Sequence, residues 1–412
     1  MQSSPPPLDA LSQEYVALAY GIERRVPGYV DAYFGPPEVK AATLAGDSSE
    51  AQALVERAHA LAARVATGDY MGERTRYLAA QVRAMLATCR RLAGEELSYL
   101  DEVRDCFDVE PARTPETAFN DAIAELDELL PGDGEVHTRM IAWRATYEVS
   151  PETARTMIDV IADETRRRTA AFVDLPAGEA VAFAFVAGQP WSGYNWYLGN
   201  ARSRVEINTD NPIRAHELPG LIAHEAYPGH HTEHALKEHL LYQERGYGEH
   251  AIQLINTPEC VISEGIATLA ESVIFTPEDL AAWLAETVYP AAGVSGDPAR
   301  EAAIQRAQRA LRPVSANAAL LLHHEGATED EVVAYLMRYG LRPEQEARHS
   351  LGFIRDPLWR AYIFTYHTGR DLLGRWLEAA PAAERQARFR TLLSEQIAPS
   401  RVRDWMAADA ND

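Results

Sequence analysis

The sequence predicts a mostly α-helical chain carrying one small antiparallel β-sheet, and three observations predict it. Apolar residues recur every three or four positions over most of the 412 residues. One stretch, from Glu179 to Asp210, breaks that period with AVAFAFVAG, WSGYNWYLGN and RSRVEINTD. It is rich in Val, Phe, Tyr and Trp and is cut by Gly and Asn turns, as short strands are. Helical periodicity then resumes at about residue 214 and runs to the end.

Taken in order, helical patterns cover about 8–25, 50–67, 72–92, 115–130, 136–147 and 151–173. Pro111, Pro131-Gly132 and Pro151 stand where starts and stops belong. Pro151-Glu152-Thr153 is a good helix start, with proline and an acid in the first turn. These patterns divide the chain into an N-terminal helical half, 1–175, and a second half, 176–412, holding the sheet and the chemistry. The two halves are expected to pack as one body with a cleft between them.

Composition narrows the function classes. Hydrophobic residues make up 47% and charged residues 24%, ordinary for a soluble globular protein. The net charge of -22 argues against nucleic acid and anionic membrane as partners, since both need a basic footprint. Cys89, Cys106 and Cys260 are widely and irregularly spaced, which suits neither a metal knuckle nor a disulfide framework. The first residues, MQSSPPPLDALSQEY, have no basic region followed by an apolar core, and no apolar run approaches a membrane span. The expectation is a cytoplasmic protein with a small-molecule partner. Its oligomeric state stays open, a homodimer included.

The chemistry concentrates in LIAHEAYPGHHTEH, residues 221–234. His-Glu followed by a further His on a helix is the arrangement of zinc hydrolases, where two imidazoles bind the metal and the glutamate activates water. The simple motif needs its histidines four apart, and the fourth residue after His224 is Pro228. On an unbroken helix His230 would lie about 9 Å further along the axis and about 120° away, and His231 about 10.5 Å away on the same face. Zn–N bonds are about 2.1 Å, so neither pair could chelate one ion across a regular helix. Pro228-Gly229 is the expected remedy. Proline breaks the helical ladder and glycine tolerates the detour, so His230 swings beside His224. Glu264, in the helical segment CVISEGIATLAES, is the expected third ligand, and Glu271 two turns on is a candidate to orient an imidazole.

A competing reading takes HHTEH, residues 230–234, as an inverted motif with His230 and His234 as ligands and Glu233 as base. It leaves His224 and Glu225 unexplained. Arg348, Arg355 and Arg370 are each able to clamp a substrate carboxylate.

HEAYPGHH, followed by SEG and later by Tyr-x-x-Gly, resembles a bacterial family of uncharacterised zinc hydrolases. That family is similar in turn to the thermostable carboxypeptidases of the Taq type, whose motif reads His-Glu-x-Gly-His. The resemblance covers roughly residues 185–380 and aligns Gly229-His230 with that Gly-His. It implies a multi-helical, zincin-like metallopeptidase fold with a small sheet beside the active-site helix. AYIFTYHTG, residues 361–369, resembles a Tyr-x-x-Gly element and implies that Tyr366 stabilises an oxyanion. LLLHHEGAT, residues 320–328, resembles a Leu-His-x-x-Gly-Trp-Thr element and carries His323 into the site, with Ala327 replacing the tryptophan.

The expected function is a zinc-dependent hydrolase, a carboxypeptidase-like metallopeptidase cleaving short peptides. His224, His230 and Glu264 hold Zn2+, Glu225 is the general base, and Tyr366, His231 and His323 assist. Two alternatives stand beside it: a zinc hydrolase of another amide or ester, and a metal-free scaffold used for binding.

Overall fold

The computed structural model describes residues 5–46, 50–68, 70, 72–189 and 191–409. Helices dominate. The N-terminal part holds α1 (Ala10–Glu23), α2 (Pro37–Ala45), α3 (Ala51–Thr67), α4 (Gly72–Leu92), α5 (Tyr99–Phe107), α6 (Glu116–Leu129), α7 (Val136–Ala145) and α8 (Pro151–Ala170). Two short strands, β1 (Val30–Tyr33) and β2 (Glu148–Val149), interrupt them. Next come β3 (Ala180–Val186), β4 (Gly193–Tyr197), β5 (Arg202–Asn208) and β6 (Ile213–Arg214), then α9 (Leu218–Glu225) and α10 (His230–Lys237). β7 (Ile252–Leu254) leads into α11 (Pro258–Ile274), α12 (Pro277–Trp283), α13 (Tyr289–Ala292), α14 (Pro298–Arg309) and α15 (Val314–His323). The chain finishes with α16 (Glu329–Gly340), α17 (Glu344–Arg355), α18 (Ile363–Glu378), α19 (Arg385–Ser394) and α20 (Pro399–Asp409). Among the described residues no single helix is long and apolar enough to cross a membrane.

Local chemistry explains the boundaries. α8 begins as its sequence predicts: the Ser150 hydroxyl accepts the Thr153 amide at 3.1 Å, and Pro151 fills the first turn. α2 and α5 were not legible from periodicity, being only nine residues each. The helix expected from about residue 214 begins instead at Leu218, because Ile213 and Arg214 pair with Val149 and Glu148 as a strand.

The sheet needs a correction. It was expected to be antiparallel throughout, but it is mixed, in the order β3-β5-β4. β4 and β5 form the antiparallel hairpin, while β3 runs parallel to β5 from Ala180↔Arg202 to Val186↔Asn208. The segment after β3 does not turn back on it. It crosses the end of β5, where the Asn208 amide donates to the Gln189 and Trp191 carbonyls at 2.8 and 2.9 Å. A side-chain clamp thus replaces the tight turn that a hairpin would need. β4 is left as an edge.

Two further ladders, β1 with β7 and β2 with β6, join residues before 150 to residues after 212. The largest set of packed, buried side chains likewise runs from Leu8 to Phe364. A second set, with Ile262, Ile266, Leu373, Phe389 and Leu393, packs around α11, α18 and α19. Each such side chain contributes about 1.5–3 kcal/mol, which offsets the several kcal/mol that burying a carboxylate such as Glu264 costs.

Candidate metal centre

The break between α9 and α10 follows from two residues. Ala226 leaves the helix with φ -120° and ψ -85°, and the Tyr227-Pro228 peptide is cis. Gly229 then passes so close to the helix it has left that a Cβ would lie 1.9 Å from the His224 carbonyl oxygen and 2.4 Å from that of Ala223. No side chain fits there. The freed backbone groups find partners: Gly229 N–H donates to Ala223 O at 2.9 Å, and the Asn195 amide on β4 donates to Glu225 O at 2.6 Å. The detour does what the spacing predicts, bringing the rings of His224 and His230 to 4.8 Å between centroids.

Glu264 reaches the pair from α11, which is held by a second close approach. A Cβ on Gly369 of α18 would lie 2.2 Å from Val261 O, and one on Gly265 would lie 2.8 Å from Gly369 O. The glycine of SEG and the glycine of Tyr-x-x-Gly are therefore one contact, seen from two helices. Glu264 Oε1 accepts a hydrogen bond from Tyr362 at 3.0 Å. Glu264 Oε2 is buried, has no hydrogen-bond partner among the described residues, and stands 3.7 Å from His224 Nε2. One ligand atom each from His224, His230 and Glu264 lies within 4.8 Å of the others.

The electrostatics fit a cation. Desolvation, then the neighbouring His230 and Arg312, hold the His224 imidazole well below its usual range. Desolvation alone brings His230 down to about 4. Both rings are therefore neutral near pH 7, the form that ligates metal. Burial and the facing carboxylate of Glu264 push Glu225 up to about 8, and burial pushes Glu264 up to about 7. Two desolvated carboxylates facing each other are costly until a positive ion joins them. Glu225 Oε1 lies 4.0 Å from His224 Nε2, beside the proposed ligands rather than among them.

A second group, His230, Glu233 and His234, also brings its ligand atoms within 4.8 Å. It corresponds to the inverted motif, and its hydrogen bonds speak against it. Glu233 Oε1 accepts from the Lys237 ammonium at 2.7 Å and Oε2 accepts from Ser263 at 2.6 Å, both in the interior. Neither oxygen is spare. Ser263 Oγ lies 3.0 Å from His230 Nδ1. With the Ser263 proton given to Glu233, its oxygen accepts from Nδ1–H, and Nε2 is the His230 nitrogen left for a metal. Sequence reading missed Ser263. Its signal is its place beside Glu264 in ISEG.

Of the assisting residues, Tyr366 reaches the centre. It lies one turn after Tyr362, with ring centroids 5.6 Å apart, and is 38% exposed. Desolvation and the carboxylates of Glu264 and Glu225 raise its hydroxyl well above the usual range, so it stays a proton donor. His231 is a correction. It is fully buried, its Nδ1 lies 2.8 Å from Ser203 Oγ and its Nε2 3.0 Å from Glu179 Oε2, so it fastens α10 to the sheet. Adjacent helical residues point about 100° apart, and His230 already faces the cleft. His323 donates its Nε2–H to Ile354 O at 2.8 Å, and its ring packs on Tyr99. Arg348 and Arg355 are exposed and paired with Glu344 and Glu329. Glu271 carries no hydrogen bond to either imidazole; its carboxylate lies against Gly220 of α9.

No protein-family model and no curated protein matches the chain. Among solved structures it is similar to "the putative lipoprotein from Colwellia psychrerythraea". That match has 16% identity over 99% of this chain and 78% of that one, with a TM-score of 0.55. A "putative lipoprotein of unknown function" from Shewanella oneidensis is 14% identical over 97% of this chain and 83% of that one, with a TM-score of 0.48. The first likeness is one of fold, shared across nearly the whole chain.

Proposed function

We propose that this chain is a zinc-dependent hydrolase of zincin-like fold, a metallopeptidase that cuts short peptides. One observation carries the reading: the partnerless Oε2 of Glu264, buried 3.7 Å from Nε2 of a neutral His224, with His230 beside them. Two ligands of one tetrahedral zinc stand about 3.3–3.4 Å apart, close to this separation and too long for a hydrogen bond. When bound, zinc would supply a Lewis acid that polarises the scissile carbonyl and acidifies water.

The chain's own residues would do the rest. Glu225 Oε1 takes a proton from the attacking water and passes it to the leaving nitrogen. The Tyr366 hydroxyl donates to the oxygen on which charge develops. β4 is an edge strand whose Gly193 lies against Glu225, a Cβ there falling 3.4 Å from Oε1. An extended peptide pairing with that edge would be presented to the metal centre. Three buried free thiols suit a reducing compartment, and we place the protein in the cytoplasm. Cell fractionation tests that placement against the membrane fraction that a lipoprotein would occupy. Digestion of a peptide library by protein loaded with zinc, and by the same protein stripped of it, tests the activity. Zinc-dependent cleavage is expected; no cleavage of any peptide would overturn the peptidase reading.

A further inference from the structure

Asp31 is a partly buried acid that the proposed chemistry leaves unused. It stands in β1 where the ladder slips: Val30 pairs with Leu254 and Ala32 with Gln253, so Asp31 is the extra residue of a bulge. A bulge re-aims the side chain it carries, and here the Asp31 carboxylate accepts a hydrogen bond from the Tyr194 hydroxyl on β4. Tyr194 is itself held in place, its ring packing on Trp191 and Trp196 with centroids 5.0 and 4.7 Å away. Desolvation, then the carboxylates of Asp31 and Glu225, keep its hydroxyl well above the usual range, so it stays a donor.

Comparable carboxylates are met more fully. Glu249 faces Arg74 at 2.7 Å and Glu259 faces Lys237 at 3.1 Å. Glu238, without a cation, accepts from Tyr197, Gln243 and the amides of Asn200 and Ala201. Among the described residues Asp31 accepts from Tyr194 alone and forms no ion pair. Arg204, which faces Trp196 across the β4–β5 ladder, is taken by Glu206 at 2.9 Å. Burial raises the Asp31 carboxyl, and the bond from Tyr194 partly offsets this. A desolvated carboxylate with one neutral donor is stabilised further by any cation that reaches it, and Asp31 is exposed enough to be reached.

Its distance from the chemistry is set by β4. Gly193, the residue before Tyr194, lies against Glu225, a Cβ there falling 3.4 Å from Oε1. Strand residues advance about 3.3 Å each, so the edge that would present a peptide to Glu225 carries Tyr194 one step further on, with Asp31 at the tip of its side chain. We propose that Asp31, positioned by Tyr194, anchors an ammonium group of the substrate. This names the substrate class, short peptides with an ammonium close to the scissile bond, at the amino end or on a side chain. It rests on the hydrolase reading above.

The test uses two matched pairs. One is tetra-alanine carboxamide with a free or an acetylated amino end; the other is the acetylated peptide with one alanine changed to lysine or to norleucine. Zinc-loaded wild type is expected to show a kcat/KM about 10–100-fold higher on the ammonium-bearing member of one pair. Preference in the first pair assigns the ammonium to the amino end, preference in the second assigns it to a side chain, and preference in neither overturns the proposal. In D31N the ratio should fall toward one, with melting curves confirming the fold, whereas Y194F keeps the charge and should retain most of it. An undiminished ratio in D31N, or an equal loss in both variants, overturns the anchor. Calorimetry on metal-free wild type reads binding without turnover. Tighter binding of the ammonium-bearing member is expected, and equal binding in both pairs overturns the proposal. If wild type cleaves none of the peptides while the ammonium-bearing one still binds better, the anchor stands and the hydrolase reading falls.

Discussion

Ser263 Oγ lies 3.0 Å from Nδ1 of His230, and that contact decides which ring nitrogen faces the cleft. Behind Ser263 stands Glu233, itself held by Lys237, so the imidazole is oriented by a buried chain of charge-assisted hydrogen bonds. Removing the hydroxyl frees the ring to rotate and to change tautomer. S263A should therefore weaken zinc binding about 10–100-fold, measured by chelator competition, while S263T retains most of it. Histidine nitrogen NMR of the metal-free protein should show the Nδ1–H tautomer of His230 in wild type and lose it in S263A. Unchanged zinc affinity would show that Ser263 orients nothing.

Three protein ligands and one open position predict one zinc per chain. H224A, H230A and E264A should each lose it, by elemental analysis after dialysis without chelator. H234A should keep it, because the structure commits Glu233 of the rival group to Lys237 and Ser263. Loss in H234A with retention in H224A would move the metal to the inverted motif.

Glu225 separates binding from chemistry. E225Q keeps size and hydrogen bonding but loses the basic oxygen, so zinc content should stay at one per chain. Turnover should fall by about 10²–10⁴-fold. A variant keeping more than about a tenth of wild-type kcat would mean that another group takes the proton.

His231 predicts the opposite pattern. Against desolvation, hydrogen bonds from His231, Tyr227 and Arg166 hold Glu179 down at about 2. H231A leaves that carboxylate buried without a main partner, a loss of about 3–5 kcal/mol. Urea unfolding should show it, while zinc per folded chain stays unchanged.

Measured against E225Q/E264Q, the metal-free protein should lose stability as pH rises from 5 to 8. Glu225 at about 8 and Glu264 at about 7 both sit above the ordinary carboxylate value of about 4.3. At these two groups the folded state therefore binds more protons than the unfolded state between these limits. That stability is full below about pH 4.3 and is lost as pH rises through 7 to 8. The change is a few kcal/mol, read by urea unfolding at pH 5 and 8. E225Q/E264Q should flatten it, and zinc should restore stability at pH 8 by binding the ionised pair.

Some of this was determined by the sequence alone. Helical periodicity marked most helices, and Pro151 marked where α8 begins. The closeness of His224 and His230 was legible because the proposed metal needs particular atoms at particular distances, and only a broken helix reconciles that spacing. Pro228-Gly229 announced the break; the structure adds that Gly229 is obligatory because the His224 carbonyl occupies the space a Cβ would need. Tertiary structure alone decided the rest. Whether His231 faces the cleft or the sheet depends on Ser203 and Glu179, which are 28 and 52 residues away. The direction of β3 depends on the Asn208 clamp rather than on any local turn. Ser263 and Tyr362 stand inside the quoted segments SEG and AYIFTYHTG, but neither segment tells what they touch. Their roles arise when α10, α11 and α18 pack, with Gly265 against Gly369, because hydrogen bonds and charge act through space and not along the chain.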